Sequence, residues 1–358
     1  MRAVVVGGSL VGQCAALALS RDGWQVTVLE RSSTEPSGGT GIGIDRELLS
    51  LVSGADAGAL SVIDGEFQQT TWGLVRAVLV TELQQRPEVS IRTGHRVDDV
   101  RMDENGRDVV VRSARGEFRA DLVVGADGFG SVVRQFVVPQ HPDAAYSGYL
   151  LWRGLIDEEK IRGGFASWDI EFAEHSAPGA RLVTFGVPGR DGFTHRGRRG
   201  ASFSWFDTGR AEFLQRSGKL DGDVVTGTLS GREVSNEILA ELRGFSRRNW
   251  PSPWGDAIDQ SLVQRKFIGT PIAEYLPRRL VRGAVALIGD AAHVVSPITG
   301  AGFHNGLLDV EALAAELRNA PRGGVPQALG QYQRRRLKPA RSLVAQSQQW
   351  SRAYVSSH

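Results

Sequence analysis

Cysteine is nearly missing from these 358 residues: Cys14 stands alone. A disulfide framework within the chain is therefore excluded, and a reducing compartment fits best. Cys14 lies in an apolar helix pattern and reads as a small buried hydrophobe. No apolar stretch approaches the roughly 18 residues that cross a bilayer, so no membrane association is expected. Neither charge dominates, with 42 Lys and Arg against 40 Asp and Glu for a net charge of +2. That balance leaves no electrostatic footprint for nucleic acid or an anionic membrane. No Cys, His or Asp spacing suggests a metal site, and none is expected. The opening "MRAVVVGG" enters a strand at once with no leader pattern, which points to the cytoplasm. What remains, 41% hydrophobic and 23% charged residues, describes an ordinary globular chain of one large or two intimately joined domains.

The first thirty residues read as a βαβ unit: an apolar strand, a glycine turn, a helix with small residues, and a second strand ending in an acid. Gly7, Gly8, Ser9 and Gly12 form the turn, with serine at the middle glycine of G-x-G-x-x-G. Gly7 permits a tight turn, Ser9 must let the backbone approach a pyrophosphate, and Gly12 allows close packing of helix on strand. Glu30 follows Gly12 by 18 residues, where a carboxylate meets a ribose 2′-hydroxyl in dinucleotide sites. A 2′-phosphate is disfavoured there.

Far downstream, "GDAAHVVSPITGAGFHNGLLD" (289–309) runs from a strand end through a Pro-Thr-Gly-Ala-Gly turn into an apolar-periodic helix. A helix start stripped of side chains suits a negative charge or a strong dipole, because its first N–H groups lack partners and the macrodipole is positive there. Between these ends the pattern is not the simple alternation of a nicotinamide dehydrogenase. A Ser/Gly/Thr loop and a helix around "TTWGLVRAVLVTEL" lead to short alternating stretches, read as a small antiparallel meander feeding the central strand "DLVVGADG".

Three ordered motifs carry a family likeness. The N-terminal fingerprint with its acid, "GADGFGSVVR" (125–134) and "ALIGDAAHVVSP" (286–297) resemble those of the single-component FAD-dependent aromatic hydroxylases, the p-hydroxybenzoate hydroxylase-like family. "YSGYLLWRGLI" and "VPGRDG" are most similar to its 2,6-dihydroxypyridine hydroxylase branch. The resemblance implies non-covalent FAD, with NADPH or NADH as a transient electron donor. It implies that the first turn cradles the pyrophosphate, that Glu30 binds the ribose beside Arg31, and that the strand of Val97 lies along the adenine. Asp127 and Gly128 would bring a second crossing to the cofactor, with Arg134 one turn into the next helix. Gly289 and Asp290 would meet the ribityl hydroxyls. Pro297, Gly300, Ala301, Gly302 and Phe303 would direct N–H groups at the pyrimidine edge of the flavin, where reduction places negative charge. The sequence departs from the usual pattern at His304, followed by Asn305, which makes His304 a candidate for proton traffic.

From about Tyr146 to Thr270 the chain changes to strands with aromatic content, read as a mostly antiparallel sheet. Its covered face is expected to wall a substrate pocket. Trp152, Trp205, Arg153 and Pro297 are the candidate substrate contacts, and Tyr149, His175 and His195 the candidate bases for a phenolic substrate. Most aromatics on strands are packing residues. Arg153 is costly to bury without a partner, so it reads first as structural and second as a receptor for a substrate anion. The C-terminal stretch reads as a helix broken near Pro339 with an arginine-rich outer face.

The expected fold class is α/β with mixed α+β character: a Rossmann-like FAD-binding domain (1–145 and 271–358) carrying an inserted sheet domain (146–270). The expected activity is NAD(P)H- and O₂-dependent hydroxylation of a small aromatic or polycyclic molecule through a C4a-hydroperoxyflavin, by a monomer or homodimer. Epoxidation, Baeyer–Villiger insertion, oxidative rearrangement and a non-redox cyclase on the same scaffold stay open, since the motifs serve the cofactor and not the substrate.

Overall fold

The computed structural model describes residues 1–34, 40–65, 68–103, 108–161 and 172–357. Parts of the Ser/Gly/Thr loop (35–39) and of the meander (104–107) lie outside the described residues. A six-stranded sheet is ordered Val281–Arg282, Val285–Leu287, Leu122–Gly125, Arg2–Val6, Gln25–Glu30, Val89–Thr93. All pairings are parallel except that of Val281–Arg282. Its central strands are apolar runs because both faces are covered, as a parallel sheet requires. The helix Leu10–Arg21 packs on this sheet and against helices Arg46–Ser53, Trp72–Gln84 and Gly302–Leu317. Since the strands run the same way, the residues after Val6, Glu30, Gly125 and Leu287 emerge at one edge, the edge at which open α/β sheets hold ligands.

The meander is present as strands Val97–Met102, Val109–Ser113 and Gly116–Ala120. A second, antiparallel sheet of eight strands is built around Ala145–Asp157, which lies between Gly200–Thr208 and Phe267–Glu274. Pleating divides its side chains between two faces. One carries Trp152, Leu182 and Trp205 into a core closed by helices Asn236–Asn249 and Trp254–Val263. The other carries Tyr149, Leu151 and Phe206 toward Ile298 and Tyr354. Each sheet thus has its own hydrophobic core.

Two sequence expectations need correction. Within the region read as strands from about Tyr146 to Thr270, the apolar Ser261–Leu262–Val263 ends the helix Trp254–Val263, and a strand begins only at Phe267. The C-terminal helix is not broken at Pro339 but runs from Val325 to Ser357. Tyr332, Arg336, Ala340, Val344, Ser347, Ser351 and Tyr354 form its buried stripe. Burial of a stripe that long outweighs the roughly 3 kcal/mol and single hydrogen bond that an interior proline costs. No helix among the described residues is long and apolar enough to cross a membrane.

Candidate functional site

The glycine turn follows directly from steric demands. Gly7 has φ +106°, and a Cβ on it would lie 2.3 Å from the carbonyl oxygen of Ala126. A Cβ on Gly12 would lie 1.9 Å from the carbonyl oxygen of Gly7, so helix and turn meet only because both are glycine. Ser9 sits in extended backbone just before the helix, exposed and making no side-chain capping bond. It therefore stands at the middle glycine position without strain. Glu30 accepts hydrogen bonds from the N–H groups of Gly8 at 2.9 Å and Ser32 at 2.8 Å, which fastens the turn to the second strand and leaves each oxygen a lone pair. Arg31 beside it is exposed, and Val97 is buried at the meander's start. The helix has no acidic residue in its first turn, so its positive end is not neutralised from within.

At the second junction Gly128 has φ +80°. The Asp127 carboxylate is turned into the following helix, accepting from the Ser131 hydroxyl and from the N–H of Val132 at 2.7 Å and Val133 at 3.2 Å. Burial raises this carboxyl against the pull of those bonds. Arg134 corrects the sequence reading. Its guanidinium is buried and spent on the carbonyls of Pro142, Phe129, Asp290 and Ala291, with the Tyr275 ring beneath it at 4.3 Å. It clamps the second junction to the third and presents no free face to a cofactor.

Gly289, at φ +55°, opens the third junction, which contacts Val11 of the first helix. Gly306 packs there too, where a Cβ would lie 2.6 Å from Val11 Cγ2. The three motifs, far apart in sequence, are thus in mutual contact. Asp290 is reached by solvent, yet protein encloses it enough that burial raises its carboxyl, against the charges of His293, Arg134 and Arg153. Among the described residues that carboxylate makes no hydrogen bond. Pro297 heads a single turn ending at Gly300, φ +62°, and the helix Gly302–Leu317 begins without an acidic residue or a side-chain cap. A second correction concerns its donors. The Gly300 N–H is taken by the Pro297 carbonyl, and that of Ala301 by the Thr299 hydroxyl at 3.1 Å. The donors left at the helix start are those of Gly302, Phe303 and His304, with Asp290 Oδ1 4.0 Å from where a Gly302 Cβ would be.

Behind this junction lies a charged group that the sequence reading passed over. Asp309 accepts from His293 Nε2 at 2.6 Å, from Gly289 N–H at 2.9 Å and from Arg336 Nε at 2.7 Å, all buried. The signal was available: Asp309 falls on the apolar stripe of its helix, and Arg336 is in register with Tyr332 and Ala340 on the next. Both were hidden by assigning arginines to the outer face.

The candidate catalytic and substrate residues scatter. Trp152 donates to Asp207 at 2.8 Å, and Trp205 stacks on Phe245. Both face the helix-covered side and are core, not pocket wall. His175 follows the same side, opposite Leu182 on an edge strand. His195 is exposed in the hairpin loop against Phe193. His195→Ala is accordingly expected to change turnover and KM by less than about twofold, as surface substitutions do, and a steady-state assay checks this. Tyr149 is buried with its hydroxyl between those of Ser296 at 2.6 Å and Ser351 at 2.9 Å. Burial raises its pKa, so it is a brace for the loop and not a base. His304 is half exposed, Nδ1 lying 3.7 Å from Asp45 Oδ2. Arg153 alone of the sheet candidates points to the side of Tyr149 and Asp290. Among the described residues, no cluster of His, Cys, Asp or Glu is placed to hold a metal ion.

Comparison with known proteins agrees with this geometry. A family model for an FAD binding domain matches residues 69–148 and 257–347, and one for an FAD binding domain-like unit matches residues 146–270. Aurachin C monooxygenase/isomerase of Stigmatella aurantiaca is 31% identical over 271 residues, 73% of this chain and 60% of that protein. The chain thus spans less than two thirds of that relative. The FAD-dependent urate hydroxylase of Mycolicibacterium vanbaalenii is 25% identical, covering 96% of this chain and 86% of that one. Among solved structures, 2,6-dihydroxypyridine-3-hydroxylase from Arthrobacter nicotinovorans superposes with a TM-score of 0.81 at 23% identity, over 98% of this chain and 91% of the other.

Proposed function

Because the chain belongs to the FAD-binding-domain family of flavin-dependent monooxygenases, we propose that it hydroxylates a small aromatic or heteroaromatic molecule with O₂ and a nicotinamide donor, NADPH or NADH. The observation that carries this reading is the meeting of three glycine-and-carboxylate junctions at one sheet edge, with the solvent-reached Asp290 carboxylate unbonded among the described residues and two helix starts free of acid. Non-covalent FAD fits those residues. Bound there, it supplies the redox chemistry that activates O₂. The chain's own part is positional. The turn at Gly7 to Gly12 admits a pyrophosphate to the first helix start, Glu30 keeps lone pairs for ribose hydroxyls, and Asp290 receives ribityl hydroxyls. Gly302 and Phe303 offer N–H groups to negative charge at the ring's pyrimidine edge.

The face of the antiparallel sheet around Arg153, beyond the buried Tyr149 and Leu151, forms the substrate wall and excludes water from the reacting centre. Division at residues 145 and 270 into an FAD-binding part and a substrate part belongs to this reading, as do a cytoplasmic location and a monomeric or homodimeric state. Oxygenation coupled to rearrangement is the second reading, favoured by the 31% identity to a monooxygenase/isomerase.

The purified protein is expected to carry FAD and to oxidise NADH or NADPH faster when an electron-rich heteroaromatic is added. Incorporation of labelled O₂ into the product, read by mass spectrometry, separates simple hydroxylation from rearrangement. A colourless protein that takes up no FAD overturns both.

A further inference from the structure

The arginine-rich outer face of the C-terminal helix has no part in the cofactor junctions or the substrate wall. Val325–Ser357 runs 33 residues without one Asp or Glu, in a chain whose 42 basic and 40 acidic residues otherwise nearly balance. Ion pairing within the helix is therefore impossible. Arg335 and Arg336 find acids on the neighbouring helix, Glu311 and Asp309. Arg334, Lys338 and Arg341 find none. Their spacing sets them along one face of the helix, and all three are exposed. Arg334 reaches only the Gln331 side-chain oxygen at 3.0 Å and Arg341 only the Pro277 carbonyl at 2.8 Å, while Lys338 makes no bond among the described residues.

These three cations line a hollow of about 600 Å³ between the helix and the segment 276–280, which joins the strand Phe267–Glu274 to Val281–Arg282. Leu276, Leu337 and Ala345 give it apolar walls. Gln333 accepts from the N–H groups of Leu280 at 2.8 Å and Val281 at 3.3 Å, which pins the segment to the helix and keeps the hollow preformed. Two more exposed cations, Arg278 and Arg279, stand on that segment, again without an ion pair among the described residues. The hollow lies at the seam of the two sheets, because the helix is bonded to both, through Tyr332 to Leu287 at 2.7 Å and through Tyr354 to Phe206 at 3.0 Å. Its volume falls within the roughly 300–1,000 Å³ of small-ligand clefts, which favour such seams.

A cleft lined by one sign of charge over apolar walls gathers counter-ions. Which anion fits follows from charge and shape. A carboxylate brings a single negative charge, whereas a phosphate ester brings about −1.5 to −2 with three acceptor oxygens. Guanidiniums take those oxygens through paired N–H bonds, and an ammonium acts as a point charge. The apolar walls suit a ring or chain attached to the phosphate.

We propose that this hollow binds a phosphate ester or pyrophosphate carried on an apolar or aromatic body, with Arg334, Lys338 and Arg341 as its receptors. Soluble nucleotides and lipid headgroups share that chemistry, and the test separates them. None of the lining residues belongs to the cofactor junctions, so the inference does not rest on the hydroxylase reading.

The test is isothermal titration calorimetry on the full chain as purified, freed of unbound cofactor, with ATP, inorganic pyrophosphate and adenosine at about 0.1 M salt. ATP is expected to bind with a Kd below about 1 mM, pyrophosphate within about tenfold of it, and adenosine at least about tenfold more weakly. Arg334→Glu combined with Lys338→Glu is expected to weaken ATP at least about tenfold, and Lys338→Gln alone to give a smaller loss. The replaced side chains are exposed, so the melting temperature is expected to stay within a few degrees. Arg352→Glu, exposed on the same helix but outside the hollow, is the control and is expected to leave binding within about threefold. A parallel arm sediments the chain with phosphatidylcholine vesicles, plain or doped with phosphatidic acid. Capture by the doped vesicles that the double variant loses assigns a lipid headgroup, and ATP binding without such capture assigns a soluble nucleotide; either supports the inference. Binding of neither probe, equal binding of ATP and adenosine, or ATP binding unchanged in the double variant overturns it.

Discussion

Asp309→Ala is expected to destabilise the chain by about 3–5 kcal/mol, a large part of the 5–15 kcal/mol that holds a typical domain folded. The carboxylate is fully buried and serves three donors at once: His293, Arg336 and the N–H of Gly289. Removing it leaves the buried Arg336 guanidinium only two long bonds to neutral oxygens of Asn305, both at 3.4 Å, and that uncompensated charge is the expensive term. It also frees the N–H of Gly289, the residue just before Asp290, so a loss of cofactor retention is expected alongside the loss of stability. Urea titration of the two proteins at pH 6 measures the first effect, and a shift below about 1 kcal/mol would falsify the network's role.

The same group sets a pH profile. Burial alone would raise the Asp309 carboxyl, but the charge and hydrogen bond of His293, with Arg336, hold it below its ordinary value. Its contribution is therefore complete above the unfolded value of about 3.9 and is lost as pH falls through the lower, folded one. Burial would lower His293, but the charge and hydrogen bond of Asp309 outweigh it and the net shift is upward. Its contribution is complete below about 6.5 and is lost as pH rises through the raised value. The wild-type advantage over Asp309→Ala is thus expected to be greatest from about pH 4 to 6.5 and to shrink on both sides.

How much of this was legible in the sequence depended on whether the determinant was local. The glycine turn, the strand-end acids and the helix start at Gly302 are read from neighbouring residues, because sterics and unpaired N–H groups act over one turn of chain. Which face of the second sheet meets the cofactor is not local. Alternation says that Trp152 and Arg153 point oppositely, but only the packing of Asn236–Asn249 and Trp254–Val263 makes the tryptophan face the covered one. Arg134 and Arg336 were misjudged for a related reason. Both are long cations with partners distant along the chain: the carbonyls of Asp290 and Ala291 for Arg134, 156 and 157 residues away, and Asp309 for Arg336, 27 residues away. A charge can be placed inside only once its partner is known.

Gly12→Ala is expected to abolish FAD retention, weakening binding by more than about 100-fold, and to cost about 1–3 kcal/mol or more of stability as overpacking does. The added methyl would sit 1.9 Å from the Gly7 carbonyl oxygen and 3.4 Å from Ala126 Cβ. The carbonyl belongs to backbone already pressed on Ala126, so it cannot retreat, and the helix Leu10–Arg21 must move outward instead. Val11, the next residue, is the surface on which Gly289 and Gly306 rest. Displacing it therefore opens the third junction as well as the first. Ser9→Ala is the matched control at the same turn: that side chain is exposed and makes no capping bond, and FAD affinity is expected to stay within about threefold. Fluorescence titration of FAD into both apoproteins decides the matter. If Gly12→Ala binds FAD as tightly as Ser9→Ala, the contact of helix on turn does not set the cofactor's seat, and the coupling between distant junctions through Val11 fails with it.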